Sequence, residues 1–99
     1  MASYILTNKA VLDVSAIWEY TVNTWSEQQA DKYYFMLLDT CQELADGKVT
    51  GKKYPEINND ILGFRAAKHI LFYRKLSADK IEIVRIMHTQ MDLKNSIQD

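Results

Sequence analysis

The chain has 99 residues, of which 47% are hydrophobic and 25% are charged, and its formal net charge is −1. This length suits one domain, residues 1–99, and the composition argues against an intrinsically disordered chain. The near-neutral charge argues against general attraction to nucleic acid or to anionic membranes. The N-terminus lacks the apolar run of a signal peptide, and no segment reaches membrane-spanning length. We therefore expect a cytoplasmic protein.

The sequence carries few of the residues that metal or cofactor chemistry requires. Cys41 is the only cysteine, which excludes an internal disulfide and a cysteine-rich metal site. The two histidines, His69 and His88, have no Asp or Glu at ligand spacing. The chain contains no Gly-rich phosphate loop, nucleophile elbow or paired-carboxylate motif. We expect no metal ion and no cofactor.

The first half of the chain predicts one strand followed by two helices. Residues 3–7 are short and mostly apolar, as in a strand, and Thr7 or Asn8 is placed to cap the helix that follows. Ser26 and Gln29 form a capping-box pattern for the second helix, and Gly47 is placed to end it. The short connection predicts an antiparallel helix pair. The buried stripe of the first helix is predicted at Val11, Val14, Ile17, Trp18, Thr21, Val22 and Trp25.

A long polar connection, GKVTGKKYPEINND, follows from residue 47 to residue 60. It holds two of the three glycines and the only proline. Connections of this length in compact domains are often functional or mobile. The alternative is a loop that contains one helical turn, and the sequence does not decide between them.

The second half predicts three strands, over residues 61–65, 69–75 and 80–88, because it is rich in β-branched and aromatic residues. A short turn at 77–79 makes the last two an antiparallel hairpin. The order β-α-α-β-β-β predicts an α+β domain in which an antiparallel helical hairpin packs on a small, mainly antiparallel sheet. A short final helix is predicted over residues 91–97.

The last predicted strand carries polar side chains, and because successive side chains of a strand point to opposite faces, their positions predict the face on which each lies. If the strand is regular, Arg85 and His88 lie on opposite faces, and only a bulge or the strand end brings them together. His88, like His69, more commonly ends a strand by bonding to backbone than acts in catalysis. Both faces are largely apolar, which indicates a central strand or a surface covered by a partner chain. We favour the central strand slightly.

Three segments carry a resemblance to a known family: IWEYTVNTWSEQQADKYYFMLLDTCQELA, HILFYR and IEIVRIMHTQMDL. They resemble the ParE toxins of bacterial type II toxin–antitoxin systems, within the RelE/ParE superfamily. The likeness spans nearly the whole chain in the right order, and it includes the closing pattern Arg-x-x-His-x-x-Met-Asp. The resemblance implies the RelE/ParE-like fold and a role in plasmid stabilisation.

This superfamily has two functional branches. RelE-type members are ribosome-dependent endoribonucleases, whereas ParE-type members are described as poisoning DNA gyrase without cleaving bonds themselves. Both are silenced by a cognate antitoxin. The chain is closer to ParE, because the terminal tyrosine of the nucleases is missing and Lys48, Lys52 and Lys53 match their lysine set only loosely. We therefore expect a gyrase inhibitor rather than an enzyme. There are two alternatives. One is a RelE-like nuclease that uses Arg85, His88 and a loop lysine, and the other is an inactive antitoxin-binding relative.

The resemblance also implies two sets of binding residues. Arg85 is the best functional candidate. No residue is a confident catalytic candidate, and Arg85 and His88 are the weak ones. Arg65 is expected at a tight turn. Expected partners are gyrase and a ParD-like antitoxin, without sequence-specific binding to nucleic acid. The target-binding set is Arg65, Arg74, Arg85, His88, Met91 and Asp92, and the antitoxin-binding set is Trp18, Trp25, Tyr34 and Arg74.

Overall fold

The computed structural model describes residues 2–90 of the chain. It contains two helices and a five-stranded sheet, which confirms the predicted α+β class. No helix within residues 2–90 is long and apolar enough to cross a membrane. The helix predicted over 91–97 lies outside the described residues. The elements are β1 (Ser3–Leu6), α1 (Asn8–Thr24), α2 (Glu27–Asp46), β2 (Lys52–Lys53), β3 (Leu62–Ala66), β4 (His69–Ser77) and β5 (Lys80–His88).

The strand order in the sheet is β1-β5-β4-β3-β2. The β1 strand pairs with β5 in parallel, and the other neighbours are antiparallel. The β5 strand therefore lies inside the sheet, which confirms the interpretation of its two apolar faces as those of a central strand. The two-residue strand β2 was not predicted, because it lies within the polar connection.

The helix ends follow the predicted signals. Thr7 caps α1, and its Oγ1 accepts a hydrogen bond from the backbone N–H of Ala10 at 3.0 Å. Ser26 caps α2 in the same way by accepting from the N–H of Gln29 at 3.0 Å. Gly47 ends α2 in the left-handed conformation, with φ of 76°, which glycine adopts without steric cost. These caps fix where the helical hairpin begins and ends.

The sheet is covered on both faces. The helices cover one face, where Leu37, Leu71 and Ile83 are fully buried. The polar connection covers the other face, where Ile57 and Ile61 pack in one apolar cluster with Ile70, Phe72 and Met87. The connection also contains one helical turn, as the alternative prediction for residues 47–60 had it, since the Tyr54 carbonyl accepts hydrogen bonds from the N–H groups of Ile57 and Asn58. It is therefore a structural cover as well as a link.

A glycine allows the connection to lie close to the sheet. A Cβ atom at Gly63 would lie 2.6 Å from Cε1 of Tyr54 and 3.0 Å from Cε1 of Phe72. Because these distances are shorter than van der Waals contact, only glycine lets the Tyr54 ring rest on β3. The Tyr54 and Phe72 rings then meet edge to face, with centroids 5.1 Å apart.

A bulge interrupts the pairing of β5 just before Arg85. Phe72 pairs with Arg85, but the next residue, Tyr73, pairs with Ile83, so Val84 is an extra residue. The bulge breaks the alternation of side chains. The bulge lies before Arg85, and pairing is regular from Arg85 to His88, so the register keeps these two residues on opposite faces, as predicted. Arg85 pairs with Phe72 of the second apolar cluster, and its side chain meets Asp13 of α1 at the edge of β5 that β1 leaves uncovered. His88 lies on the helical side of the sheet.

A correction concerns Trp25, which the helical stripe placed in the core. Its side chain is 70% exposed. The physical reason is that α1 ends at Thr24, and Trp25 leaves the helix with φ of −123° and ψ of −82°. Val11 on the same stripe is also exposed. Trp18 and Val22 are partly buried.

Candidate functional site

An open groove of about 690 Å³ runs between the end of α1, the start of α2, the β3–β4 turn and the end of β5. Ile17, Tyr20 and Trp25 form its apolar wall, and Lys68, His69 and His88 form the opposite wall. Tyr33 of α2 also lines it. We refer to this feature as the groove.

A polar cluster of three rings lies in the groove. Oη of Tyr33 and Nδ1 of His69 are 2.6 Å apart, and the backbone N–H of Lys68 donates to the same Tyr33 oxygen at 3.2 Å. Since that oxygen accepts the hydrogen bond from Lys68, we assign the Tyr33 hydroxyl as the donor to Nδ1 of His69. The His69 and His88 rings meet edge to face with centroids 5.3 Å apart. The side chain of His88 is fixed in turn, since its Nδ1 accepts from the N–H of Gln90 at 3.2 Å.

The surroundings of His69 favour its neutral form. Burial lowers the pKa of His69 to about 4, the neighbouring His88 and Lys68 lower it further, and Asp13 opposes them. Burial also raises the pKa of the Tyr33 hydroxyl above its ordinary value. Both groups are uncharged at neutral pH, so this pair holds the β3–β4 turn against α2 by a neutral hydrogen bond.

We expect the protein to lose stability as the pH falls from about 6.5 to about 4, the ordinary and folded pKa values of His69. In this window the unfolded chain binds a proton at residue 69 and the folded chain does not, so unfolding becomes easier. The expected loss is about 2 kcal/mol, since partial solvation of the ring reduces the full value. Urea unfolding at several pH values measures it. In a His69→Gln variant, whose amide cannot titrate, the loss over this window should shrink, and an unchanged loss would contradict the assignment.

Arg85 is held inside the fold rather than in the groove. Its Nε donates to Oδ2 of Asp13 at 2.8 Å and its Nη2 donates to Oδ1 at 2.9 Å. The backbone N–H of Ile86 donates to the same carboxylate at 3.0 Å. The two side chains are only 18% and 15% exposed, and the hydrogen bond with Asp13 raises the pKa of Arg85. Arg85, the best functional candidate from the sequence, therefore links α1 to the bulged part of β5.

The other predicted arginines lie elsewhere. Arg65 is near the end of β3, where its Nε donates to the carbonyl of Ala67 at 3.0 Å, so it lies at the expected tight turn. Ala67 in that turn has φ of 54°. Arg74 lies opposite Glu82 on β5, with Nε 3.1 Å from Oε1, although its N–H is not aligned for a hydrogen bond. Met91 and Asp92 lie outside the described residues.

The predicted antitoxin-binding residues fall on separate surfaces. Trp25 lines the groove, whereas Trp18 and Tyr34 line a second cleft of about 540 Å³ on the helical hairpin. In that cleft Trp18 donates through Nε1 to Oδ1 of Asp31 at 3.0 Å. Arg74 belongs to neither surface. Within residues 2–90, no three His, Cys, Asp or Glu side chains are arranged to hold a metal ion.

The sequence did not point to Asp13, Tyr33 or Lys68. Asp13 and Tyr33 each bond to a distant residue, since Asp13 accepts from Arg85 and Tyr33 bonds to His69. Their local patterns are those of an ordinary solvated helix face or turn. No local signal marks such pairs, because the partners lie 36 and 72 positions away along the chain.

Comparisons with known proteins place this fold in a family. A family model described as the ParE toxin of type II toxin–antitoxin systems (parDE) matches residues 4–93. Toxin ParE1 of Mycobacterium tuberculosis is 29% identical over 94 residues, covering 95% of this chain and 96% of the relative. Toxin ParE1 of Caulobacter vibrioides is 27% identical over the same length. A solved chain from the chromosomal ParDE system of P. aeruginosa has a TM-score of 0.75 at 20% identity, covering 91% of this chain and 98% of that chain.

Proposed function

The chain belongs to the ParE toxin family of type II toxin–antitoxin systems, and on that premise we propose that it poisons DNA gyrase in the cytoplasm and is neutralised by a cognate antitoxin. The match to the family model over residues 4–93 carries the proposal. Gyrase is the target that the ParE branch implies. The antitoxin is expected to be a small acidic protein with a DNA-binding N-terminus, encoded next to this chain.

The position of Arg85 supports the gyrase target over RNA cleavage. Cleavage by transphosphorylation needs a base, an acid and positive charge on the phosphate. The arginine that matches the charge-stabilising group of the nucleases is bonded through Nε and Nη2 to Asp13. A guanidinium held in this way has less capacity to bind a phosphate. Together with the missing terminal tyrosine, this supports a toxin that acts by binding.

One observation favours ribosome-dependent RNA cleavage as a second candidate function. His69, His88 and Lys68 lie together in the groove, and side chains of these types supply a base, an acid and a positive charge. Against this candidate, Nδ1 of each histidine already has a hydrogen-bond partner in the fold. The two functions differ in their products, since only the nuclease leaves cut messages.

Exposed apolar side chains support a protein partner. Tyr20, Trp25 and Leu12 are each more than two-thirds exposed, and Phe35 is 59% exposed. Large aromatic residues in this state are typical of interaction surfaces. The residues proposed to contact the antitoxin are Trp18, Trp25, Tyr34 and Arg74, and those proposed to contact the target are Arg65, Arg74, Arg85, His88, Met91 and Asp92.

The test is a supercoiling assay with the purified chain and purified gyrase. We expect loss of supercoiling, accumulation of cleaved DNA–gyrase complex, and recovery when the product of the adjacent reading frame is added. Arg65→Ala should weaken inhibition, whereas Lys75→Ala, at an exposed residue outside the proposed sets, is the matched control. Normal supercoiling together with position-specific cuts in ribosome-bound messages would replace this proposal with the nuclease. If cells that express the chain without the antitoxin grow normally, the chain is an inactive antitoxin-binding relative.

A further inference from the structure

The hydrogen bonds of the two groove histidines determine which ring nitrogen carries the proton. Nδ1 of His69 accepts from the Tyr33 hydroxyl, and Nδ1 of His88 accepts from the backbone N–H of Gln90. An imidazole that accepts through Nδ1 carries its proton on Nε2. Within residues 2–90, Nε2 of neither ring has a hydrogen-bond partner. The bonds that hinder acid–base use of these rings therefore make both of them hydrogen-bond donors at the groove.

The charge beside these donors is positive. Lys68 lies in the β3–β4 turn next to His69 and lines the same wall of the groove. It forms no ion pair with any residue of the described range. No Asp or Glu lines the groove within residues 2–90, and Asp13, whose charge reaches His69, is bonded to Arg85. Two N–H donors beside an ammonium group complement an oxyanion such as phosphate.

The opposite wall of the groove is aromatic. Tyr20 is 68% exposed and Trp25 is 70% exposed, and both line the groove. Exposed aromatic rings bind nucleic-acid bases by stacking, while a neighbouring positive surface binds the phosphate. The groove volume of about 690 Å³ lies within the range of about 300–1,000 Å³ that is typical of small-molecule sites. An aromatic wall opposite an anion-binding wall therefore matches the two parts of a nucleotide.

We propose that the groove binds a nucleoside phosphate, either a free nucleotide or one unit of a single strand. Its base stacks on Tyr20 and Trp25. Its phosphate accepts hydrogen bonds from Nε2 of both histidines and lies against Lys68. Tyr33 is a positioning residue, because its hydroxyl bonds to Nδ1 of His69 and to the backbone N–H of Lys68.

This binding differs from the functions proposed above. Stacking does not depend on which base is bound, so the groove is not sequence-specific. The inference goes beyond gyrase poisoning and does not depend on it. Because Trp25 is also proposed to contact the antitoxin, the inference concerns the chain without its antitoxin.

The test titrates the full chain by calorimetry with deoxyadenosine monophosphate, deoxyadenosine, inorganic phosphate and a short single-stranded oligodeoxyadenylate. The monophosphate should bind roughly tenfold or more tightly than deoxyadenosine, which lacks the charged acceptor. It should also quench the fluorescence of Trp25, measured in a Trp18→Phe variant in which Trp25 is the remaining tryptophan, whereas inorganic phosphate should not. An oligonucleotide that binds roughly tenfold more tightly than the monophosphate identifies a strand as the ligand, and similar affinities identify a free nucleotide.

Variants of the two walls test each half of the site. Trp25→Ala should weaken binding of the monophosphate roughly tenfold through lost stacking, and Phe35→Ala, at an exposed ring outside the groove, should stay within about twofold. Lys68→Met should weaken binding roughly tenfold and reduce its salt dependence, because one phosphate contact is lost. Lys75→Met, at an exposed lysine outside the groove, is its matched control.

The donor role of His69 has its own test. His69→Gln keeps a side-chain N–H donor and should bind the monophosphate within about threefold of the wild type, whereas His69→Leu should weaken binding roughly tenfold. Thermal melting of both variants checks that the fold is intact. Equal losses of binding in the two folded variants would contradict donation from Nε2.

The remaining outcomes decide the proposal as a whole. If the folded wild-type chain binds neither the monophosphate nor the oligonucleotide, the proposal is overturned. If inorganic phosphate binds as tightly as the monophosphate and Trp25→Ala behaves like Phe35→Ala, the groove holds an anion only, and the nucleoside phosphate is wrong. Neither result affects the proposed action on gyrase, because the supercoiling assay is a separate measurement.

Discussion

Replacing Asp13 with alanine is expected to lower the free energy of unfolding by about 3–5 kcal/mol. The carboxylate accepts two hydrogen bonds from Arg85 and one from the N–H of Ile86, at 2.8, 2.9 and 3.0 Å. Removing it leaves a largely buried guanidinium without its counter-ion and a backbone donor at the bulge without its acceptor. Urea unfolding followed by circular dichroism measures the change.

The chain offers a matched control in its other ion pair. Arg74 and Glu82 face each other on β4 and β5 with side chains 41% and 24% exposed. Because solvent screens exposed pairs, Glu82→Ala should cost about 1 kcal/mol or less. In the double variant Asp13→Ala, Arg85→Ala, the loss should be smaller than the sum of the two single losses, since no unpaired charge remains. Equal losses for Asp13→Ala and Glu82→Ala would contradict the structural role assigned to the Asp13–Arg85 pair.

This role affects how toxicity data on Arg85 are interpreted. An Arg85→Ala variant should unfold more easily, because Asp13 is then left as a largely buried carboxylate without its counter-ion. Lost toxicity in this variant does not by itself place Arg85 at the target interface. The comparison with Asp13→Ala resolves the question. If both variants lose toxicity in proportion to stability, Arg85 acts through the fold, whereas a greater loss for Arg85→Ala indicates contact with gyrase.

Local signals predicted the parts of the fold that local interactions determine. Ser26 and Gly47 mark the ends of α2 because a cap is satisfied within a few residues of itself. The β4–β5 hairpin followed from its short turn and its β-branched residues. The central position of β5 agrees with its two apolar faces, since strands in the interior of a sheet that is covered on both faces are apolar on both sides.

Features that depend on distant residues were not predictable in this way. Nothing in the sequence around Val84 marks it as the extra residue of a bulge, because the residues that bond to the bulge, Thr7 and Asp13, lie 77 and 73 positions away from their partners along the chain. The groove cluster similarly depends on Tyr33, which lies 36 positions from His69. Alternation did assign Arg85 and His88 to opposite faces correctly, because the bulge lies before both residues. What alternation did not reveal is that Arg85 meets Asp13 of α1 at the edge of β5 that β1 leaves uncovered.

The cover on the second sheet face leads to the other prediction with a large expected effect. Phe72 is fully buried between the sheet and the connection, in the cluster with Ile57 and Ile61. Phe72→Ala should lower the free energy of unfolding by about 3–5 kcal/mol, because it removes a large apolar side chain and leaves a cavity. It should also loosen the connection, since Tyr54 loses the ring that it contacts edge to face.

The matched control is Phe35→Ala, which makes the same change at a side chain that is 59% exposed on α2. Little of the Phe35 side chain is buried in the folded protein, so Phe35→Ala should lower the free energy of unfolding by about 0.5 kcal/mol or less. Urea unfolding gives both values, and amide hydrogen exchange of residues 54–61 reports the loosening separately. If the connection were only a polar link, Phe72→Ala would leave its exchange unchanged. Faster exchange at residues 54–61 in this variant, with normal exchange in Phe35→Ala, would establish that the connection is held by the second apolar cluster.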